Sequence, residues 1–507
     1  MPDDLDTTAS TDATEPSGEL APEKDMTRAR AAQGGRWGIF SAMCEQAGSM
    51  IATVVLARLL DPEAFGVVAA ATILLNLLHI FGNVGFGASL VKRKNIDEPI
   101  ASTTFWAATG IGAALTTILI IFAPLLARAI GQPDVTPYVR ALAPLLLITM
   151  VSNVSEAQLL RALRFPWVYT ADIANIVVYV GLTLALAWAG TGAWSMVIGR
   201  VVGELVASTV RLLAARWRPR FVFHWGTIRE DLRFNGGFFG MQVLAFLTKN
   251  VDYWVVSSSL GAVALGVYYV AFVLPSILRQ RMTWLAGEIL FPIMARARDD
   301  LDRLKSLYED SVEFLNFVAL PILAGVALTA KQVILIAFGS KWTDAIGPTR
   351  WLTVAALFEL STQGAGTLFM SVGKPGIMNR VIGVRLALTA TAVIIAVHVS
   401  DSITWVAGAV AISVALSTLP LHRAVGIELG ISPFSVLRWL RPSLLALAAM
   451  TVTVTAGQLA LESVGLVIQA VVLATVGAAT YAGVVLAVDR RWSLRMFGMV
   501  RQVLRRG

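Results

Sequence analysis

The sequence predicts an all-α integral membrane protein with about fourteen transmembrane helices, built as two parallel six-helix lobes followed by two further helices. Three observations lead there: an apolar excess, a one-sided distribution of Lys and Arg, and an internal repeat. Of 507 residues, 56% are hydrophobic and 15% charged, whereas a soluble domain is about a quarter charged. A bilayer span needs about 20 apolar residues as a helix, and in lipid each backbone polar group must be satisfied within the protein. Stretches such as TFWAATGIGAALTTILIIFAPLL are apolar on every face. That excludes a β-barrel, whose strands alternate over about ten residues.

The apolar runs place spans at 37–57, 65–91, 101–128, 139–160, 169–189 and 192–214. A second set follows at 236–258, 264–283, 311–330, 349–371, 380–399 and 402–421, and two more at 437–459 and 464–488. An even number returns both termini to one side. With basic residues within about four positions of a span's end assigned to the adjoining side, 32 of the 41 Lys and Arg fall on the side of the termini and six on the other. Arg200, Lys249 and Arg385 remain deeper inside spans. Basic residues concentrate on the cytoplasmic side, so both termini are expected there, in a cell (inner, cytoplasmic) membrane. The loops on the opposite side are short and leave no room for an extracytoplasmic catalytic domain.

The organisation follows from these spans. Residues 1–30 read as a disordered acidic tail, 31–215 as the first lobe, 216–235 as a cytoplasmic linker and 236–422 as the second lobe. Residues 437–488 form the last two helices, and 489–507 a basic amphipathic tail. The first 27 residues hold eight acids and one lysine among Pro, Ser, Thr and Gly, too little apolar surface to fold. Trp492, Met496, Met499 and Val503 recur at helical spacing among six arginines, which suits a helix lying on an anionic leaflet. The basic surplus therefore meets membrane lipids rather than nucleic acid. One cysteine, Cys44, excludes an internal disulfide or a Cys-based metal cluster. The four histidines lack ligand spacing, so no metal or cofactor is expected.

The halves are alike. LLDPEAFGVVAAATIL from Leu59 lies over SLGAVALGVYYVAFVL from Ser259 without a gap, pairing Leu60, Ala64, Gly66 and Val67 with Leu260, Ala264, Gly266 and Val267. Each stretch joins the first and second span of its half, and an even number of spans separates them. Parallel repeats related by an axis along the membrane normal rock against each other to give alternating access.

LARLLDPEAFGVVAAATILLNLLHIFGNVGFGASLVKRK at 56–94 resembles the first hairpin of Wzx-type polysaccharide flippases, within the multidrug/oligosaccharidyl-lipid/polysaccharide (MOP) exporter superfamily. KNVDYWVVSSSLGAVALGVYYVAFVLP at 249–275 resembles their seventh and eighth helices. The likeness covers residues 30 to about 430 and is nearest to the capsular, colanic-acid and teichuronic-acid exporter branch. It implies a MATE-like fold and transport, without covalent chemistry, of an oligosaccharide on an undecaprenyl-diphosphate-type carrier from inner to outer leaflet. It also implies a pathway shared with a polysaccharide polymerase and glycosyltransferases; a monomer is expected. Relatives often carry an acid where this chain has Asn83, so that position receives no coupling role.

Ionisable residues within the membrane cost roughly 2.5–3.5 kcal/mol on insertion scales and are functional candidates by default. Lys249 and Arg200 are the principal candidates for the diphosphate, since guanidinium groups grip phosphate oxygens in two places and ammonium groups act as point charges. Internal pairing is the alternative, because Asp252 and Glu204 stand three and four residues away on the same helix faces. Arg385 is a third headgroup contact, or else snorkels to the cytoplasmic surface. Arg279 and Arg281 read as anchors at the inner end of the eighth span. Glu45, Asp252 and Glu204 are ion-coupling candidates for H+ or Na+, against a packing role. Asn76, His79 and Asn83 form a polar stripe at helical spacing and, with Asn153, are expected to line a cavity. Glu156, Asp172 and Asn175 carry weaker claims of the same kind. The rival readings are a MATE-like drug exporter, a lipid II flippase, and a membrane glycosyltransferase or polymerase acting on the same carrier. The interior cations argue for an anionic cargo.

Overall fold

The computed structural model describes residues 21–82, 90, 98–285, 287 and 290–506, and among them every regular element is helical. The first lobe contains α1 (Ala21–Leu59), α2 (Pro62–Gly82), α3 (Glu98–Ala129), α4 (Pro144–Arg161), α5 (Phe165–Trp188) and α6 (Ala193–Ala215). A 61-residue helical segment, Trp225–Leu285, opens the second lobe and is broken at Gly261. Its backbone there (φ 84°, ψ −176°) lies in a region that essentially only glycine enters. The break divides the segment into α7 (225–260) and α8 (262–285), and Gly261 matches the turn residue Asp61 in the sequence repeat. The lobe continues with α9 (Leu301–Leu328), α10 (Ile346–Leu360, resuming as Gln363–Ser371), α11 (Pro375–Val399) and α12 (Ile403–Leu429). Then come α13 (Arg441–Ala460), α14 (Leu466–Val488) and α15 (Arg490–Arg506).

Eleven helical stretches are long and apolar enough to cross a bilayer. One of them, Phe239–Gln280, holds two expected spans on either side of Gly261. The other two expected spans lie on α6, which carries Arg200, Glu204 and Arg211, and on the broken α10. Among the described residues, each expected span thus falls largely on helix, the second as far as Gly82. Local chemistry sets several ends: the Asp300 carboxylate accepts from the Arg303 N–H at 3.0 Å at the start of α9, and Gly430 in the left-handed region closes α12. The fourth span is interrupted at Pro144, which follows the short helix Thr136–Leu142.

Packing partners repeat between the lobes. In the first, α1 packs on α5, α3 on α4, and α6 on both α4 and α5. In the second, the 225–285 segment packs on α11, α9 on α10, and α12 on both α10 and α11. The turns after α1, α3, α5, α7, α9, α11 and α13 gather at what we call the hairpin end; the other turns form the terminal end.

At the terminal end the linker docks on the first lobe: the backbone N–H groups of Arg220 and His224 donate to the Ser102 and Thr103 hydroxyls at 3.0 and 3.1 Å, Phe221 stacks on Trp106, and helix begins at Trp225. One expectation is corrected there. The tail helix α15 turns its apolar stripe to the protein. Trp492 and Met496 are buried in a cluster with Phe317 and Tyr481, and Arg495 donates to Glu313 at 2.7 Å. Val503 lies outside the side chains described.

Candidate transport cavity

The lobes meet at the hairpin end through contacts that follow the sequence repeat. Gly66 and Gly266, paired in that repeat, pack against each other's helices. A Cβ on Gly66 would run into the carbonyl oxygen of Ala262, and one on Gly266 into that of Pro62. Pro62 and Ala262 are themselves matched in the same register. Beside this crossing, each lobe's first hairpin is clasped by the other lobe's loop between its third and fourth helices. Arg58 donates to the carbonyls of Ile336 and Ala337, at a helix C-terminus where carbonyls lack partners. Lys341 donates to the Leu60 carbonyl at 2.6 Å and lies 3.6 Å from Asp61, and the Trp342 indole donates to the Ala57 carbonyl at 2.8 Å. In the reciprocal clasp, the Gln132 amide donates to the Ser257 hydroxyl at 2.7 Å, and that hydroxyl donates to the Ile130 carbonyl at 3.0 Å.

Behind this seal lies a cavity of about 330 Å³ between the lobes. Three further chambers share walls with it. One of about 590 Å³ extends into the first lobe past Arg200, Asn76 and His79, and one of about 430 Å³ lies between α1 and α8 beside Glu45 and Gln46. The last, of about 220 Å³, enters the second lobe past Lys249 and Arg385.

Lys249 and Arg200 both face the central cavity. Neither pairs with the acid on its own helix. The Tyr268 hydroxyl donates to the buried Asp252 at 2.8 Å, while Arg211 and the Asn175 amide donate to Glu204 at 3.2 and 2.8 Å. Helical spacing puts each cation and acid on one face, but a neighbouring partner claims the acid. Among the described residues, Lys249 and Arg200 form no hydrogen bond or ion pair.

Arg385 does not snorkel. Its guanidinium donates to Glu359 at 2.9 Å inside the cavity. Arg279 is likewise a cavity residue rather than an anchor, 3.5 Å from Glu359 and 5.7 Å above the Phe272 ring. Among the described residues, the second lobe therefore presents three cations around one carboxylate. The first lobe does the reverse: Asp172, Glu204 and Glu156 surround the buried Arg211 at 2.6, 3.2 and 3.4 Å. By sequence Arg211 and Arg279 sort with the basic residues at the terminal-side ends of their spans; in the structure both belong to the interior.

The remaining candidates sort as follows. Asn76, His79, Glu45, Glu204 and Asp252 line the chambers. Asn153 is half-buried outside the walls just described, and Asn83 lies outside the described residues. Glu359 is the residue that sequence reasoning misses. Its signal is an acid in a predicted span two residues before the break in α10, which the default for intramembrane charge flags.

Known proteins match in sequence and fold. The sequence profile of the polysaccharide biosynthesis protein family matches residues 55–347. The chain is 23% identical over 350 residues to the lipopolysaccharide biosynthesis protein WzxC of Escherichia coli (strain K12), covering 68% of this chain and 70% of that one. It is 27% identical over 313 residues to the succinoglycan biosynthesis transport protein ExoT of Rhizobium meliloti (strain 1021), covering 61% and 63%. With the teichuronic acid biosynthesis protein TuaB of Bacillus subtilis (strain 168) the identity is 22% over 346 residues, covering 67% and 71%. Among solved structures, the lipid II flippase MurJ in an inward closed conformation superposes with a TM-score of 0.73 at 14% identity, over 90% of this chain and 99% of that one. An inward-facing MATE family multidrug resistance transporter of the MOP superfamily superposes at 0.62 and 16% identity, over 79% and 96%. The fold is that of MOP superfamily transporters. On the match to more than half its length, the chain belongs to the polysaccharide biosynthesis protein family.

Proposed function

We propose that this multi-pass membrane protein is a flippase rather than an enzyme. It carries an oligosaccharide on a polyprenyl diphosphate, the repeat unit of a surface polysaccharide, from the inner to the outer leaflet by alternating access. The observation that carries the reading is the cavity between the lobes, sealed at the hairpin end and walled by Lys249, Arg200, Arg279 and Arg385. Two adjoining phosphates need several fixed cations, and a partly desolvated site strengthens each contact. The names of the relatives favour a polysaccharide precursor as cargo. In this reading the termini are cytoplasmic, the hairpin end faces outward, and the seal opens as the lobes rock. Glu45, Asp252 and Glu204 supply the coupling site for a proton or sodium ion, and the polymerase and glycosyltransferases of the same pathway are its partners.

Deleting the gene in its host tests the proposal. A lipid-linked oligosaccharide should accumulate on the cytoplasmic leaflet, with surface polysaccharide lost. Normal export in a strain lacking a second flippase would overturn it. Loss of resistance to organic cations with unchanged polysaccharide would instead indicate a drug exporter.

A further inference from the structure

We infer that the chamber inside the second lobe binds a phosphoryl group together with the first isoprene unit bonded to it, so that the start of the carrier's lipid chain leaves the bilayer and enters the protein. The inference rests on the proposed function, which supplies a polyprenyl diphosphate. It goes further in assigning the lipid stem, as well as the phosphate, a place among α7, α11 and α12.

The chamber has two unlike ends. Lys249 and Arg385 stand at the end shared with the central cavity, and Gln363, in the chamber wall alone, follows the shared residue Glu359 by four positions on α10. Ala245, Met378, Val381, Ile382 and Leu421 line the rest, and none of these side chains offers a hydrogen-bond donor. The hydroxyls in the walls are already committed. Thr248, Thr362, Ser417 and Thr418 each donate to a carbonyl of their own chain three or four residues back. The side-chain donors left for a ligand are therefore Lys249, Arg385 and Gln363, none of them beside Met378 or Leu421 in sequence. Along α11, Arg385, Ile382 and Met378 follow at one-turn intervals, so charged and apolar ends lie roughly 10 Å apart.

Shape and chemistry together select the occupant. At about 220 Å³ the chamber is smaller than the ~300–1,000 Å³ of a drug-sized site, so it takes only the junction of a larger ligand. A sugar phosphate would bring hydroxyls into the donor-free end. A phospholipid places glycerol esters, which need donors, directly after its phosphate. In a prenyl diphosphate the hydrocarbon begins at the atom beyond the bridging oxygen, which matches the abrupt change of wall at Arg385. Glu359 holds Arg385 at 2.9 Å, and the phosphate would compete with that carboxylate for the guanidinium.

The experiment measures binding of inorganic pyrophosphate and geranyl diphosphate to the full chain in phosphatidylcholine nanodiscs, with short-chain phosphatidylglycerol as competitor. Geranyl diphosphate should bind at least about tenfold tighter than pyrophosphate, as burial of two or three carbon groups gives. Val381→Trp, which fills the apolar end, should shrink that ratio to below about twofold without changing pyrophosphate affinity. Ile382→Ser adds no bulk and should lower the ratio about threefold, which covers a tryptophan variant that fails to fold. An unchanged ratio in a folded variant overturns the inference, as does competition by phosphatidylglycerol equal to that of geranyl diphosphate. Lost prenyl preference with normal translocation by the wild type defeats this inference alone. Intact geranyl diphosphate binding without translocation defeats the proposed function alone.

Discussion

The two lobes use one packing scheme and opposite charge. At the seal they are near copies: Gly66 meets the second lobe as Gly266 meets the first, and each clasp has its reciprocal. Along the cavity they diverge. Among the described residues, three carboxylates hold one arginine in the first lobe, while one carboxylate faces three cations in the second. The difference teaches where duplication is conserved by mechanics and where it is released for chemistry. A rocking pair needs matched contacts on its axis, whereas a binding wall needs charge of one sign on one side. The lobes also differ in what their cations are for. Arg211 is fully engaged by acids and buried, so its work is structural; Lys249 has no such partner and stands in the open wall.

Substitutions can break this comparison or sharpen it. The largest effect is expected for Arg211→Met, which strands three carboxylates. Breaking a buried ion pair from one side costs about 3–5 kcal/mol, so thermal unfolding in detergent should shift down by many degrees. Gly66→Leu and Gly266→Leu come next, since both drive a side chain into the opposite backbone; overpacking costs about 1–3 kcal/mol. Cysteine accessibility at the hairpin end should show the seal opened to the same extent in each, and a strong effect in only one would break the symmetry. Glu359→Gln removes the carboxylate that Arg385 donates to in a partly open cavity, an expected loss of about 1–2 kcal/mol with tighter binding of pyrophosphate. Lys249→Gln should change stability by less than about 0.5 kcal/mol while lowering transport at least tenfold.

Much of this architecture is legible in the amino-acid sequence, for reasons that differ by residue. The spans are readable because lipid tolerates only self-satisfied helices, and Gly66 and Gly266 because a gapless repeat preserves register. Lys249 and Arg200 are readable because charge inside a span is rare. What is not readable is which neighbour claims a carboxylate. Spacing along α7 and α6 offers Asp252 to Lys249 and Glu204 to Arg200; Tyr268 and Arg211 take them instead, and that outcome depends on tertiary packing. Arg211 and Arg279 look like charges of the terminal side because each lies within about four residues of its span's expected end, while in the fold their side chains turn inward. The tail shows the same limit: its stripe at Trp492 and Met496 would suit a leaflet or a protein groove, and the groove beside Phe317 exists only in the fold.

The central claim is tested most directly in proteoliposomes holding a polyprenyl-diphosphate-linked oligosaccharide on one leaflet, by the rate at which the sugar becomes accessible on the other. The wild-type chain should accelerate that crossing far above protein-free vesicles, and Lys249→Gln, equally stable, should be at least about tenfold slower. A wild-type rate no faster than that of protein-free vesicles would contradict the account.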